Sequence, residues 1–285
     1  MNAPLISYGE QRPHHPLALR YIHSYTYSIG ELHEQEARHI IRAVPSVMTQ
    51  FYFEFCGGLS EIEQGGARSP VTRRSYVNSG LGEWFDIYQI PSNKSVRPIK
   101  NFKVDLYPHT LYEVFGLSPG ELKGQDLRIE DVWGMQGEIL FDELEQAQDG
   151  PSMVAAFETH WTRRVLNGRR REVVAFERLV DPVLTLSQLA REVGYSERWL
   201  QKRYREVMGV SFKQLQGNRR FLKMFQTLTA LARSQTPISL ARIAHDHGYF
   251  DQAHFIKEFH RYVGMTPSEY LRHTFGGNPA ALWEW

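Results

Sequence analysis

One supersecondary unit occurs twice in this chain, and the duplication constrains its fold more than any other feature. Leu186-Ser187-Gln188-Leu189-Ala190-Arg191-Glu192-Val193-Gly194-Tyr195 recurs as Leu240-Ala241-Arg242-Ile243-Ala244-His245-Asp246-His247-Gly248-Tyr249, an offset of 54 residues. After one extra residue the match resumes at 55, with Leu200, Tyr204, Gly209 and Leu215 against Phe255, Phe259, Gly264 and Tyr270. Each copy has the grammar of a helix-turn-helix. A small Ala190 or Ala244 lets a second helix approach the first, and Gly194 or Gly248 stands where the chain must turn with positive φ. Ser196 and Asp251 are placed to cap the second helices, because their side-chain oxygens can accept from unpaired backbone N–H groups.

The second helix of each unit sorts its residues by face. Leu200, Tyr204 and Val207 recur at i, i+4, i+7, leaving Arg198, Gln201, Lys202 and Arg205 on the other side. Phe255, Phe259 and Val263 do the same in the second copy, leaving His254, Lys257, Glu258 and Arg261. Cationic, hydrogen-bonding side chains of this kind suit phosphates and base edges, and the major groove admits a helix. The bland alternative is a solvated face on a helical bundle. Two copies with matched turns, caps and basic faces argue against it, as does charge: residues 163–274 hold 20 Lys+Arg against 10 Asp+Glu, and the rest of the chain holds 13 against 22. A basic C-terminal block on an acidic N-terminal one points to a polyanion-binding domain joined to something else.

Residues Gly248-Tyr249-Phe250-Asp251-Gln252-Ala253-His254-Phe255-Ile256-Lys257-Glu258-Phe259, continued by Gly264-Met265-Thr266-Pro267-Ser268-Glu269-Tyr270-Leu271-Arg272, resemble the signature of the AraC/XylS transcription regulators. The resemblance covers roughly residues 181–275. It implies two DNA-reading subdomains joined by a long helix, here about residues 212–232, with double-stranded DNA and RNA polymerase as partners. Trp199 with its bulky basic run, and Gly217 near the start of the linker helix, depart from the pattern. The side chains expected to contact DNA are those the periodicity leaves exposed, Arg198, Gln201, Lys202 and Arg205 from the first unit and His254, Lys257 and Arg261 from the second.

Upstream, β-branched and aromatic runs at 47–55, 76–78, 84–90 and 102–106 read as strands, and 110–115, 138–145 and 153–166 as helices. The fold class is therefore a β-rich α+β N-terminal domain followed by an all-α C-terminal domain with two helix-turn-helix subdomains. The expected organisation is 1–166 for effector sensing or dimerisation, 167–181 as connector, 182–275 for DNA binding and 276–285 as a tail. N-terminal segments 16–22, 102–117 and 130–134 are similar to those of poorly characterised AraC-type regulators, which implies a ligand-sensing or homodimerising role. Arg73 and Arg74 before the turn Ser79-Gly80 resemble the layout with which PilZ-type receptors clamp a cyclic dinucleotide, though Val77 departs from it. Trp84, with Phe85 and Tyr88, is the candidate lining for a small aromatic or sugar effector. A ligand receptor of that kind is the second functional reading.

An enzyme carrying an accessory helical module is the remote third. His33-Glu34-Gln35-Glu36-Ala37 begins like a metalloprotease motif, but Ala37 replaces the second ligand. His245 and His247 fall near a helix end, where cationic residues are expected from the macrodipole. There is no phosphate loop or nucleophile elbow. Lone Cys56 in an apolar run reads as a buried thiol. We expect no cofactor, no metal site, no catalysis, and, without a signal layout or an apolar span, no membrane and a cytoplasmic location.

Overall fold

The computed structural model of the chain describes residues 6–33, 40–43, 46, 48–55, 60–64, 67–70, 75–79, 85–89, 96–122, 127–168, 184–234 and 236–275. Cys56, Arg73, Arg74, Trp84, most of the expected 167–181 connector and the 276–285 tail lie outside them.

The N-terminal half is antiparallel sheet with helices on one face. Strands β1 (Ile6–Gln11), β2 (Ile22–His33), β9 (Val96–Leu106), β4 (Thr49–Glu54) and β7 (Ser75–Asn78) form a five-stranded sheet in the order β1-β2-β9-β4-β7. A second sheet runs β3-β8-β5-β6, from Ile40–Ala43, Phe85–Gln89, Ser60–Gln64 and Ala67–Pro70. The longest ladder joins β2 to β9, from Ile22 opposite Leu106 to His33 opposite Val96. The strand expected at 102–106 is the second half of β9, which runs back to Val96 through Pro98, a residue that sheet interiors exclude. The structure resolves the conflict: β4 pairs with β9 at 101–106, so at Pro98 that side of the ladder has ended.

Period-two alternation decides what each sheet face does. Phe51 and Phe53 on β4, Phe102, Val104 and Leu106 on β9, and Tyr25 on β2 are all buried within one core. That core is closed by α1 (Pro16–Leu19), α2 (Ile129–Trp133), α3 (Met135–Gln146) and α4 (Gly150–Asn167), which contribute Trp133, Leu140, Leu144, Met153, Phe157 and Trp161. Phe157 and Trp161, one turn apart on α4, stack with centroids 5.9 Å apart. Removing such a buried ring costs about 3–5 kcal/mol. The other face of the sheet is polar. Lys103 and Asp105 are buried there as an ion pair at 2.9 Å, Ser24 and the Gln50 amide donate to Asp105, and Tyr52 stacks on Tyr76.

The helices start and stop where side chains can satisfy their ends. Between α3 and α4, Asp149 caps the second helix by accepting from Ser152 N at 2.8 Å, and Pro151 follows in its first turn. The short helix expected at 110–115 is instead a π-helical turn, Leu111–Phe115, ended by Gly116 at φ 76°.

The C-terminal half is helical: α5 (Leu186–Val193), α6 (Glu197–Met208), α7 (Phe212–Arg233), α8 (Leu240–Asp246), α9 (Gln252–Val263) and α10 (Pro267–Phe275). Two cores form around the two units. Leu189, Leu200, Tyr204, Val207 and Leu215 close the first, and Ile243, Phe255, Phe259 and Tyr270 close the second with Phe221, Met224 and Leu228. The linker helix α7 belongs to both, and Leu222 packs against each cluster. Among the described residues no helix is long and apolar enough to cross a membrane.

Candidate nucleic-acid interface

Both reader helices, α6 and α9, are positioned by the same local devices. Gly194 at φ 73° and Gly248 at φ 70° make the turns. Tyr195 N donates back to Ala190 O and Tyr249 N to Ala244 O. Ser196 then caps α6 by accepting from Trp199 N at 3.2 Å, and Asp251 caps α9 by accepting from His254 N at 2.7 Å. The carboxylate is also favoured by the partial positive charge of the helix start. Capping boxes the sequence reading did not single out, Thr185 with Gln188 and Ser211 with Gln214, fix the starts of α5 and α7.

These caps place the expected DNA-facing side chains outward. Arg198, Gln201, Lys202 and Arg205 are exposed on α6, while Leu200, Tyr204, Val207 and Met208 point into the core. On α9, His254, Lys257 and Arg261 are exposed. Their surroundings differ. The His254 imidazole accepts at Nδ1 from Phe250 N at 3.4 Å and meets the Tyr249 ring edge-on at 5.5 Å, leaving Nε2 as the free donor. Arg261 folds along its own helix, Nη2 donating to Tyr262 Oη at 2.7 Å with the guanidinium 4.6 Å from the ring centre. Lys257 is the simplest cation of the three.

Glu258, which the periodicity puts on the exposed face, is half-buried and paired. Arg220 of the linker helix donates to it at 2.8 Å and lies 4.7 Å from the Tyr249 ring centre. The linker and the second reader are thus tied by an ion pair in which one nitrogen, Arg220 Nη2, donates to both carboxylate oxygens. Tyr262 continues the tie, donating to Asn218 of the linker at 2.5 Å. Nothing in the i, i+4 pattern of either helix signals this cross-helix network.

Arg203 shows the opposite deviation. It lies between the exposed positions of α6, yet its guanidinium turns toward the N-terminal half, donating to Tyr112 Oη at 3.0 Å and pairing with Glu206 at 3.0 Å. Tyr112 sits within the core cluster of the first helix-turn-helix, where Met48 also packs. A Cβ on Gly120 would come 3.0 Å from Gly209 Cα, so the backbones also approach closely where α6 ends.

Of the residues expected to hold a small ligand, Ser79 is buried at the end of β7 and Arg73, Arg74 and Trp84 lie outside the described residues. His33 ends strand β2. Among the described residues no cluster of three or more His, Cys, Asp or Glu is arranged to hold a metal ion.

Residues 189–273 match a family model described as a helix-turn-helix domain. The chain is 32% identical over 104 residues to the HTH-type transcriptional regulator GadX of Escherichia coli O6:H1, and the match spans 36% of this chain and 36% of that protein. A solved DNA-binding transcriptional dual regulator from Escherichia coli K-12 is 29% identical over 35% of this chain and 89% of its own, with a TM-score of 0.27. A crystal structure of ToxT from Vibrio cholerae covers 87% of this chain and 97% of its own, at 12% identity and a TM-score of 0.43. Matched turns, caps and exposed basic faces in two copies, together with the family match and the GadX relative, make the C-terminal part of this chain a DNA-binding helix-turn-helix domain of the AraC/XylS family.

Proposed function

We propose that the chain is a sequence-specific transcription regulator that reads two successive major-groove segments, one with α6 and one with α9, under control of its N-terminal half. The observation that carries the reading is the mounting of two capped reader helices on one continuous linker helix, α7, which serves both cores. Readers held rigidly on one chain reach the groove about one helical turn apart, roughly 34 Å, so the operator has two short boxes at about 10 bp spacing. Arg198, Gln201, Lys202 and Arg205 serve the first box and His254, Lys257 and Arg261 the second. Helix α6 enters by its capped end, which puts Arg198 and Gln201 nearest the base edges. The division into 1–166, a 167–181 connector and 182–275 belongs to the same reading.

Contact of Tyr112 with Arg203 and Glu206 supports regulation, because a change in the N-terminal half acts directly on a reader helix. The input is a small-molecule effector or self-association, the output is a contact with RNA polymerase, and no step is catalytic. The test is binding of the full chain to its own upstream DNA and to random DNA at two salt concentrations. Sequence preference that survives high salt supports the reading, and equal binding to both DNAs, lost together as salt rises, refutes it.

A further inference from the structure

The two units differ by one residue, and the structure shows which. The hydrogen bonds Tyr195 N to Ala190 O and Tyr249 N to Ala244 O are equivalent. Ser196 caps α6 directly after Tyr195, whereas Phe250 intervenes before Asp251 caps α9. The residue that shifts the repeat from 54 to 55 is therefore Phe250, and its side chain is 91% exposed.

Exposed aromatics collect at one place in this domain. Among the described residues from 184 to 275, the exposed large hydrophobic side chains are Tyr195, Trp199 and Phe250. All three stand at the capped, leading end of a reader helix. Tyr195 and Trp199 stack with centroids 4.1 Å apart and planes 14° apart, each ring keeping more than a third of its surface in water. Phe250 is held at its backbone, its N–H donating to His254 Nδ1. Exposed cations flank both features, Arg198 and Lys202 in the first unit and Lys257 in the second.

A surface both cationic and apolar, at the end of a helix that enters the major groove, matches one base in particular. Thymine alone among the four bases presents an apolar group there, its 5-methyl. We propose that Phe250 and the stacked Tyr195–Trp199 pair are base-contacting residues that select thymine methyls, Phe250 in the second box and the pair in the first. This rests on the proposed DNA-reading function and adds to its polar contacts a specificity term that salt does not screen. Burying one methyl against an aromatic face gives about fourfold in affinity, from the transfer free energy of one carbon.

The experiment uses the full chain. Its operator is selected from randomised duplexes, and each thymine is then replaced singly by deoxyuridine, which lacks the methyl and keeps every hydrogen-bonding group. Expected is a loss of about fourfold at one or two thymines in each box. In Phe250→Ala the loss disappears in the second box only, and in Trp199→Ala it disappears in the first box only. Phe250→Leu, which retains apolar surface, keeps part of the effect. Circular dichroism confirms that each variant is folded, and an exposed side chain such as Phe250 is removable without loss of core. An operator bound equally well after every replacement overturns this inference alone. So does a Phe250→Ala protein with the wild-type uracil profile but lost transcription in a reconstituted assay, since the ring then contacts protein. If no sequence is enriched at all, the DNA-reading function fails and this inference falls with it.

Discussion

Tyr112 in the sheet domain and Arg203 on the first reader helix are joined twice, by a hydrogen bond of 3.0 Å at the phenol oxygen and by the guanidinium lying 4.9 Å from the ring centre. The same hydroxyl donates to Glu206 at 2.9 Å, and these bonds hold the Glu206 carboxyl below its ordinary range, the Tyr112 hydrogen bond first and the Arg203 contacts after it. At this contact between the two halves of the chain one phenol both gives and receives. A double-mutant cycle measures the contact. Tyr112→Phe removes the hydroxyl and keeps the ring, and Arg203→Met keeps most of the aliphatic stem. The expected coupling in urea unfolding of the full chain is about 1 kcal/mol. Strictly additive effects would mean that the contact is not made in solution.

On the proposed function, each reader serves one box of the operator. Replacing Arg198, Gln201 and Arg205 together by alanine is expected to abolish preference in the first box and leave the second intact. A single base-reading Arg→Ala costs about 1–3 kcal/mol. Lys257→Ala, by contrast, weakens all sequences alike and lowers the slope of log affinity against log salt by about one. Competition assays with box-swapped duplexes separate the two outcomes, and unchanged operator affinity in a folded triple variant would make α6 a spacer.

Gly194 and Gly248 test the turns without disturbing packing. Each lies in the left-handed region, and a Cβ built on either meets nothing within 4 Å. The cost of a side chain is thus backbone strain alone, about 1–2 kcal/mol for alanine. Asparagine tolerates this conformation better, so Gly194→Asn is expected to lose less than Gly194→Ala in thermal unfolding. Equal losses would point to a clash and contradict the open space around the glycine.

Acid should destabilise the sheet domain through a buried histidine. His109 is buried, and burial, assisted by the charge of Arg20, pushes its imidazole down from 6.5 to about 3. Unfolded His109 takes up a proton below about pH 6.5 and folded His109 does not, so stability falls as pH drops from 6.5 toward 3, by up to about 1.4 kcal/mol per unit. Urea midpoints measured between pH 7.5 and 5 are expected to decline in the wild type and to decline less steeply in His109→Gln. If that variant folds poorly, the His109 ring resonance in the wild type provides the check: it should not titrate above pH 5.

Much of the C-terminal half is local in origin, and local features are legible in a sequence. The turn at Gly194 and the caps at Ser196 and Asp251 follow from side-chain and backbone chemistry within three or four residues. The inward rows Leu200–Tyr204–Val207 and Phe255–Phe259–Val263 follow from helical periodicity, and the sequence places Arg198, Gln201, Lys202, Arg205, His254 and Lys257 on the outer faces without any tertiary information. What only the tertiary structure decided depends on partners far along the chain. Arg203 and Arg205 are equally basic neighbours, yet one meets Tyr112 across 91 residues and the other faces water. Glu258 is withdrawn from the outer face by Arg220, 38 residues away. Lys103 and Asp105 alternate with core residues in a pattern that reads as a solvated strand face, and they are buried because Ser24, Gln50 and their own ion pair satisfy them there. Periodicity reports which face of an element a side chain occupies. It carries no information about what that face meets, because the partner is set by the path of the whole chain.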